Sequence, residues 1–132
     1  MNEYRPVEAG QKEEDLICST ISELFARIGD KWTIQTIRAL GEGPMRFNAL
    51  RRTVGEISQK MMSATLRRLE RDGFVTRTVT PSTPPQVEYA LTELGQDLLR
   101  PVCALASWTI ENAKRIDAAR QHYDRQNGIS AE

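Results

Sequence analysis

Lys60, Ser63, Ala64 and Arg67 recur at i, i+3, i+4 and i+7, a spacing that puts them on one face of a helix. The face is small or polar in the middle and carries a cation at each end. Small residues let a helix sink into a groove roughly 12 Å wide, and long polar side chains then reach base edges. Gln59 has the paired donor and acceptor that match an adenine edge. Arg67 has the planar fork that matches a guanine edge or a phosphate. Ser58 opens the segment as its N-cap and belongs to the same DNA-facing set. Arg46, Arg51 and Arg52 lie upstream and Arg77 lies downstream, where cations would hold a phosphate backbone without reading sequence. The alternative for the whole set is an ordinary solvated helix face with surface charge around it.

Other chemistry has less support. Cys18 and Cys103 are the two cysteines and His122 the single histidine. A zinc site needs about four ligands, commonly in close pairs, and that spacing is absent. No nucleophile–histidine arrangement and no glycine-rich phosphate loop is present, so no enzyme, metal or cofactor is expected. Cys18 is expected at the amino end of the first helix, where free N–H groups and the helix dipole favour a thiolate. That makes it a redox candidate, the alternative being an inert, buried small residue.

The chain has 132 residues, enough for one domain, with 39% hydrophobic and 27% charged residues. Its 18 basic and 18 acidic residues cancel. The distribution is uneven: residues 38–80 hold nine basic and four acidic residues, a local +5, against −3 before and −2 after. A neutral protein with a basic middle can still bind a polyanion there. The longest apolar run is five residues, Val102 to Ala106, far short of the roughly 20 a membrane helix needs. Residues 1–17 have no apolar signal region. The expected location is the cytoplasm, with no membrane partner.

Periodicity supplies the elements that must position these residues. Residues 1–15 read as a loose acidic arm. Ile17, Ile21, Leu24, Phe25 and Ile28 take helical spacing up to Gly29-Asp30. Helices are then expected over Thr33–Leu40, Phe47–Thr53 and Ser58–Asp72, the last closed by Gly73. Phe74–Val79 and Val87–Leu91 alternate as two strands around a proline-stiffened loop. Thr92 caps a terminal helix expected over 93–122, kinked or interrupted by Pro101, with 123–132 as a polar tail. The fold class is mainly α with a small β-hairpin wing: a winged helix-turn-helix over 16–92, followed by a long terminal helix for dimerisation. Trp32 and Trp108 are expected in the core.

Leu98, Leu99, Val102, Leu105, Trp108, Ile110 and Ile116 do not fit one narrow stripe, so a second copy is expected to cover the excess. Ile17, Ile21, Leu98, Val102, Leu105 and Trp108 form the expected dimer interface. A two-fold dimer would offer two reading helices to successive major grooves, roughly 34–36 Å apart, on a pseudo-palindromic operator.

Several linked segments resemble one family. Gly29-Asp30-Lys31-Trp32-Thr33 and Gly43-Pro44-Met45-Arg46-Phe47-Asn48-Ala49-Leu50-Arg51-Arg52 are similar to the start of HxlR-type regulators, within the broad MarR-like group. Ile57-Ser58-Gln59-Lys60-Met61-Met62 and Leu66 to Val75 resemble their recognition helix and its exit. Pro84 to Gly95 resembles their wing and the start of the last helix, and Trp108 falls where the family tends to carry a tryptophan. The resemblance spans about residues 16–110. It implies a homodimeric transcription regulator, more often a repressor, binding double-stranded DNA and answering a thiol-reactive compound or a small-molecule effector. It also implies a sensing role for Cys18, which falls where members often carry a cysteine. Gln86 departs from the family's basic residue after the double proline, so the wing is expected to touch backbone only. The rival reading is a winged-helix protein-interaction module without specific DNA binding.

Overall fold

The computed structural model describes residues 10–128. The helices are α1 (Gln11–Ile28), α2 (Lys31–Leu40), α3 (Phe47–Val54), α4 (Gln59–Arg71) and α5 (Glu93–Gln126). The strands β1 (Met45–Arg46), β2 (Val75–Thr80) and β3 (Gln86–Leu91) form an antiparallel sheet in the order β1-β3-β2. The expected class holds: a winged helix-turn-helix followed by a long helix. Among the described residues, no helix is long and apolar enough to cross a membrane.

Local chemistry sets the boundaries. Asp30 caps α2 by accepting the Trp32 amide, so this helix starts two residues earlier than periodicity alone predicts. Ser58 caps α4 by accepting the Met61 amide at 3.0 Å. Gly73, at φ 86°, takes the left-handed conformation that ends the helix without steric cost. Gly55, at φ 122° and ψ −140°, takes an extended positive-φ conformation that side chains rarely adopt, and so shapes the turn between α3 and α4.

Several boundaries correct the sequence reading. α1 begins at Gln11, so residues 11–15 of the expected arm are helical, and residues 1–9 lie outside the described residues. Glu13 and Glu14 in the first turn favour that start through the helix dipole. α5 runs unbroken through Pro101 and on to Gln126, taking in part of the expected polar tail. One missing donor does not end a helix whose neighbouring turns are intact. The sheet gains β1, a two-residue strand too short to show any alternation.

The core lies where α2, α3, α4 and the sheet meet. Ile37, Leu40, Leu50, Met62, Leu66 and Leu69 are buried, joined by Val75 and Tyr89 from the sheet. Met62, Leu66 and Leu69 are the apolar stripe that α4 turns inward. Thr65 is also fully buried on α4, and its hydroxyl has no hydrogen-bond partner among the described residues. Trp32 packs half-buried against this core, whereas Trp108 is 54% exposed and so corrects its expected place there.

The start of α5 is fastened to the exit of α4. The Thr92 hydroxyl donates to the Gly73 carbonyl at 2.6 Å and accepts the Gly95 amide at 3.0 Å. The Thr92 amide donates to the Phe74 carbonyl at 3.0 Å. A Cβ on Gly95 would run into that same Phe74 carbonyl. In an unconstrained helix, Gly→Ala stabilises by about 0.5–1 kcal/mol. Here Gly95→Ala should instead lower unfolding free energy by about 2 kcal/mol, because a backbone group has to move. Urea denaturation measures it, and unchanged or raised stability would contradict the close approach.

Candidate nucleic-acid interface

The turn between α3 and α4 holds itself in shape. The Ile57 amide donates to the Gly55 carbonyl at 2.9 Å, and Arg51 Nε donates to the Ile57 carbonyl at 3.0 Å. Arg51 is therefore half-buried and fixed to backbone. Arg52, its neighbour, is exposed beside Asn48. The two arginines are adjacent in sequence, yet the first ties the turn while the second remains open to solvent.

α4 presents Gln59 and Lys60 exposed in its first turn. Ser63 and Arg67 follow on the same side. With Glu70, Arg77 and Tyr89 they line a polar cleft of about 410 Å³ between α4 and the sheet. The fold thus brings Ser63, Arg67 and Arg77 together, a grouping that linear spacing does not reveal. Arg46 lies on β1, where its Nη2 donates to Gln86 Oε1 at 2.6 Å.

The remaining arginines of the basic window have other duties. Arg68 reaches Asp30 at 3.4 Å, and Arg71 lies 3.7 Å from Asp72. Asp72 also accepts Arg27 Nε from α1 at 2.8 Å. That hydrogen bond, assisted by the carboxylate's charge and opposed by burial, raises the Arg27 pKa above its ordinary value. Arg38, Arg46, Arg52, Lys60, Arg67 and Arg77 make no ion pair within 4.0 Å among the described residues. Those six are the cations left for a polyanion.

The contacts of Asp30, Asp72 and Gln86 are what sequence reasoning missed. Asp30 stands directly before an amphipathic run, an N-cap signal. Asp72 and Gln86 carry no local signal, because their partners lie 45 and 40 residues away.

Cys18 is the eighth residue of α1 rather than its first turn. The amides without a helical partner are those of Gly10 to Glu13, since Glu14 already donates to the Gly10 carbonyl, so the expected dipole argument for a thiolate does not apply. The thiol is exposed, as is Cys103 on α5. Of the expected interface residues, Ile17, Ile21, Leu105 and Trp108 are exposed, while Leu98 packs against the core. Val102 is buried within the single chain, which corrects its assignment to a dimer surface. α1 has no buried residue at all along its 18 positions.

A short turn between two helices, a cationic second helix and a sheet beside it define a winged helix-turn-helix regulator. The chain belongs to the HxlR-like helix-turn-helix family, whose model matches residues 27–117. It is 41% identical over 98 residues to the HTH-type transcriptional regulator YtfH of Escherichia coli K12, covering 74% of this chain and 78% of that protein. The solved structure of the regulator ytfH from Salmonella typhimurium superposes with a TM-score of 0.70 at 39% identity, covering 76% of this chain and 89% of that one. Diamide-treated YodB from Bacillus subtilis superposes at 0.61 with 35% identity, over 70% of this chain and 91% of that one. This chain is accordingly a transcriptional regulator and not an enzyme.

The two arginines of α3 should separate on substitution. Arg51→Ala should lower unfolding free energy by about 1 kcal/mol, because the Ile57 carbonyl loses its donor. Arg52→Ala should leave stability within about 0.5 kcal/mol of wild type and reduce only DNA affinity. Equal melting shifts in parallel thermal scans would refute this division.

Proposed function

We propose that two copies of this chain pair through α1 and α5 and occupy a pseudo-palindromic operator, repressing transcription until Cys18 is modified. The observation that carries the DNA reading is the surface of α4 and the sheet. Among the described residues Lys60, Arg67 and Arg77 stand there without ion-pair partners, two of them in one cleft. Cations left free on a groove-sized helix gain most by replacing the counterions of a phosphate backbone.

Pairing is supported by α1. Leu16 and Phe25 are 64% and 67% exposed, and Ile17 and Ile21 lie exposed on the same helix. On α5, Leu105, Trp108 and Ile110 are exposed as well. So much apolar side chain on two helices marks a surface that a partner covers, and a two-fold partner is the commonest kind. The redox reading rests on the exposed thiol and on the likeness to YodB, a protein whose structure is described after diamide treatment. A small ligand would instead have room in the cavity of about 510 Å³ among α1, the end of α4 and α5, floored by Leu24, Phe74, Leu94 and Leu98. A regulator of this kind acts in the cytoplasm.

A gel-shift titration against the chain's own upstream DNA, at two salt concentrations with and without diamide, tests the reading. Affinity should fall with salt at a log–log slope of about −0.9 per phosphate neutralised. Lys60→Ala with Arg67→Ala should cost about 100-fold in specific affinity with the fold unchanged. Binding that is indifferent to salt, there and on duplexes from random-sequence selection, would favour an interaction module instead. Cys18→Ser should bind as wild type does and resist release by diamide. If the variant still releases DNA on oxidation, the sensor lies elsewhere.

A further inference from the structure

β1 is two residues long, and Arg46, its second residue, is also the N-cap of α3. Arg46 pairs directly with Glu88 of β3. Directly opposed residues share one face of a sheet, so a carboxylate stands within the guanidinium's reach. The ion pair is not made: among the described residues no carboxylate lies within 4.0 Å of Arg46. The guanidinium instead donates from Nη2 to Gln86 Oε1 at 2.6 Å. Gln86 opens β3 two residues before Glu88 and so lies on the same face.

That face is mostly polar, with Ala90 opposite Thr76 as its apolar member. It carries Thr76, Thr78 and Thr80 of β2, the last paired with Gln86, and all three are exposed. The opposite face places Val75 and Tyr89 in the core and Arg77 in the cleft beside α4. The two sheet cations therefore act on different sides, Arg77 toward α4 and Arg46 outward.

We propose that Gln86 is a positioning residue that holds the Arg46 guanidinium at the base of the wing for a backbone phosphate of bound DNA. The proposal rests on the DNA-binding reading above. A neutral amide restrains a long side chain without cancelling its charge, whereas Glu88 would cancel it. One of five N–H donors is spent on Gln86, and four remain for phosphate oxygens.

The test is a salt series on a duplex recovered by selection from a random pool, with wild type, Arg46→Ala, Gln86→Ala, Gln86→Glu and the double alanine variant. Circular dichroism confirms that each folds. Arg46→Ala should reduce the log–log salt slope by about 1, the signature of one phosphate. Gln86→Ala should weaken binding roughly fivefold with a nearly unchanged slope, and should cost nothing further once Arg46 is alanine. Gln86→Glu keeps the acceptor but adds a negative charge, so it should lower the slope as Arg46→Ala does. The proposal is overturned if Gln86→Ala binds as wild type does, or if Arg46→Ala leaves the slope unchanged. It is also overturned if Gln86→Ala costs the same factor in both backgrounds, which would mean that Gln86 touches DNA itself. Absence of salt-dependent binding by wild type would defeat the DNA-binding reading along with it, and the first curve shows which has failed.

Discussion

Asp30 holds two elements at once. Its side chain caps α2 through the Trp32 amide, accepts the Thr33 hydroxyl at 3.3 Å, and meets Arg68 of α4 at 3.4 Å. The carboxylate therefore fixes where α2 begins and where the last turn of α4 lies against it. Burial of Met62, Leu66 and Leu69 supplies the larger attraction, but apolar packing alone tolerates sliding along a helix axis. A charged, hydrogen-bonded contact has a specific length and angle, so it sets the register. With Asp72 accepting Arg27 at the same end and Ser58 capping the other, α4 is fixed at both ends. The side chains proposed to meet DNA inherit their positions from these three polar contacts.

A neutral protein carries a cationic surface here because charges are paired unevenly along the chain. The basic window has nine cations, but a helix-turn-helix consumes some of them to build itself. Arg51 stabilises the turn, Arg68 and Arg71 meet carboxylates, and each is thereby withdrawn from solvent or from the field outside. The six that remain lie on α2, β1, α3, α4 and β2, and the balancing acidic excess lies outside the basic window, −3 over residues 1–37 and −2 over residues 81–132. Screening over about 8–10 Å at ordinary ionic strength lets these regions act separately. Total charge is thus a poor guide to this surface and local unpaired charge a better one.

Much of the fold is legible in the sequence for one reason: amphipathic helices and their caps are local. Ser58, Gly73 and Thr92 announce their helix ends within a few residues, and the α4 core stripe follows from a 3.6-residue period. Features that depend on distant partners are not legible. β1 is a strand only because Met45 and Arg46 find Tyr89 and Glu88. Arg51 and Arg52 are indistinguishable until the turn folds back on one of them. Pro101 misleads because its cost is local, while the packing that keeps α5 continuous is not. Cys18 misleads in the opposite way. An apolar period shows where a helix packs but not where its polar first turns begin, so a residue taken for a helix start lies in mid-helix.

α1 is the element that a single chain does not explain. Eighteen residues without one buried side chain gain little from packing, and an isolated helix of that length is marginal in water. Its one ion pair among the described residues runs from Arg27 to Asp72, at the carboxyl end of α4. The helix therefore has a bare apolar surface on its outer side and a fixed polar contact to α4 at its end. Whatever covers the first bears on the second, because Arg27 and Ile21 ride on one rigid rod less than two turns apart. Cys18 lies on the same rod, a turn from Ile21. A change in how α1 is covered is thus mechanically close to a change in how α4 is held, and the distance between them is one charged hydrogen bond.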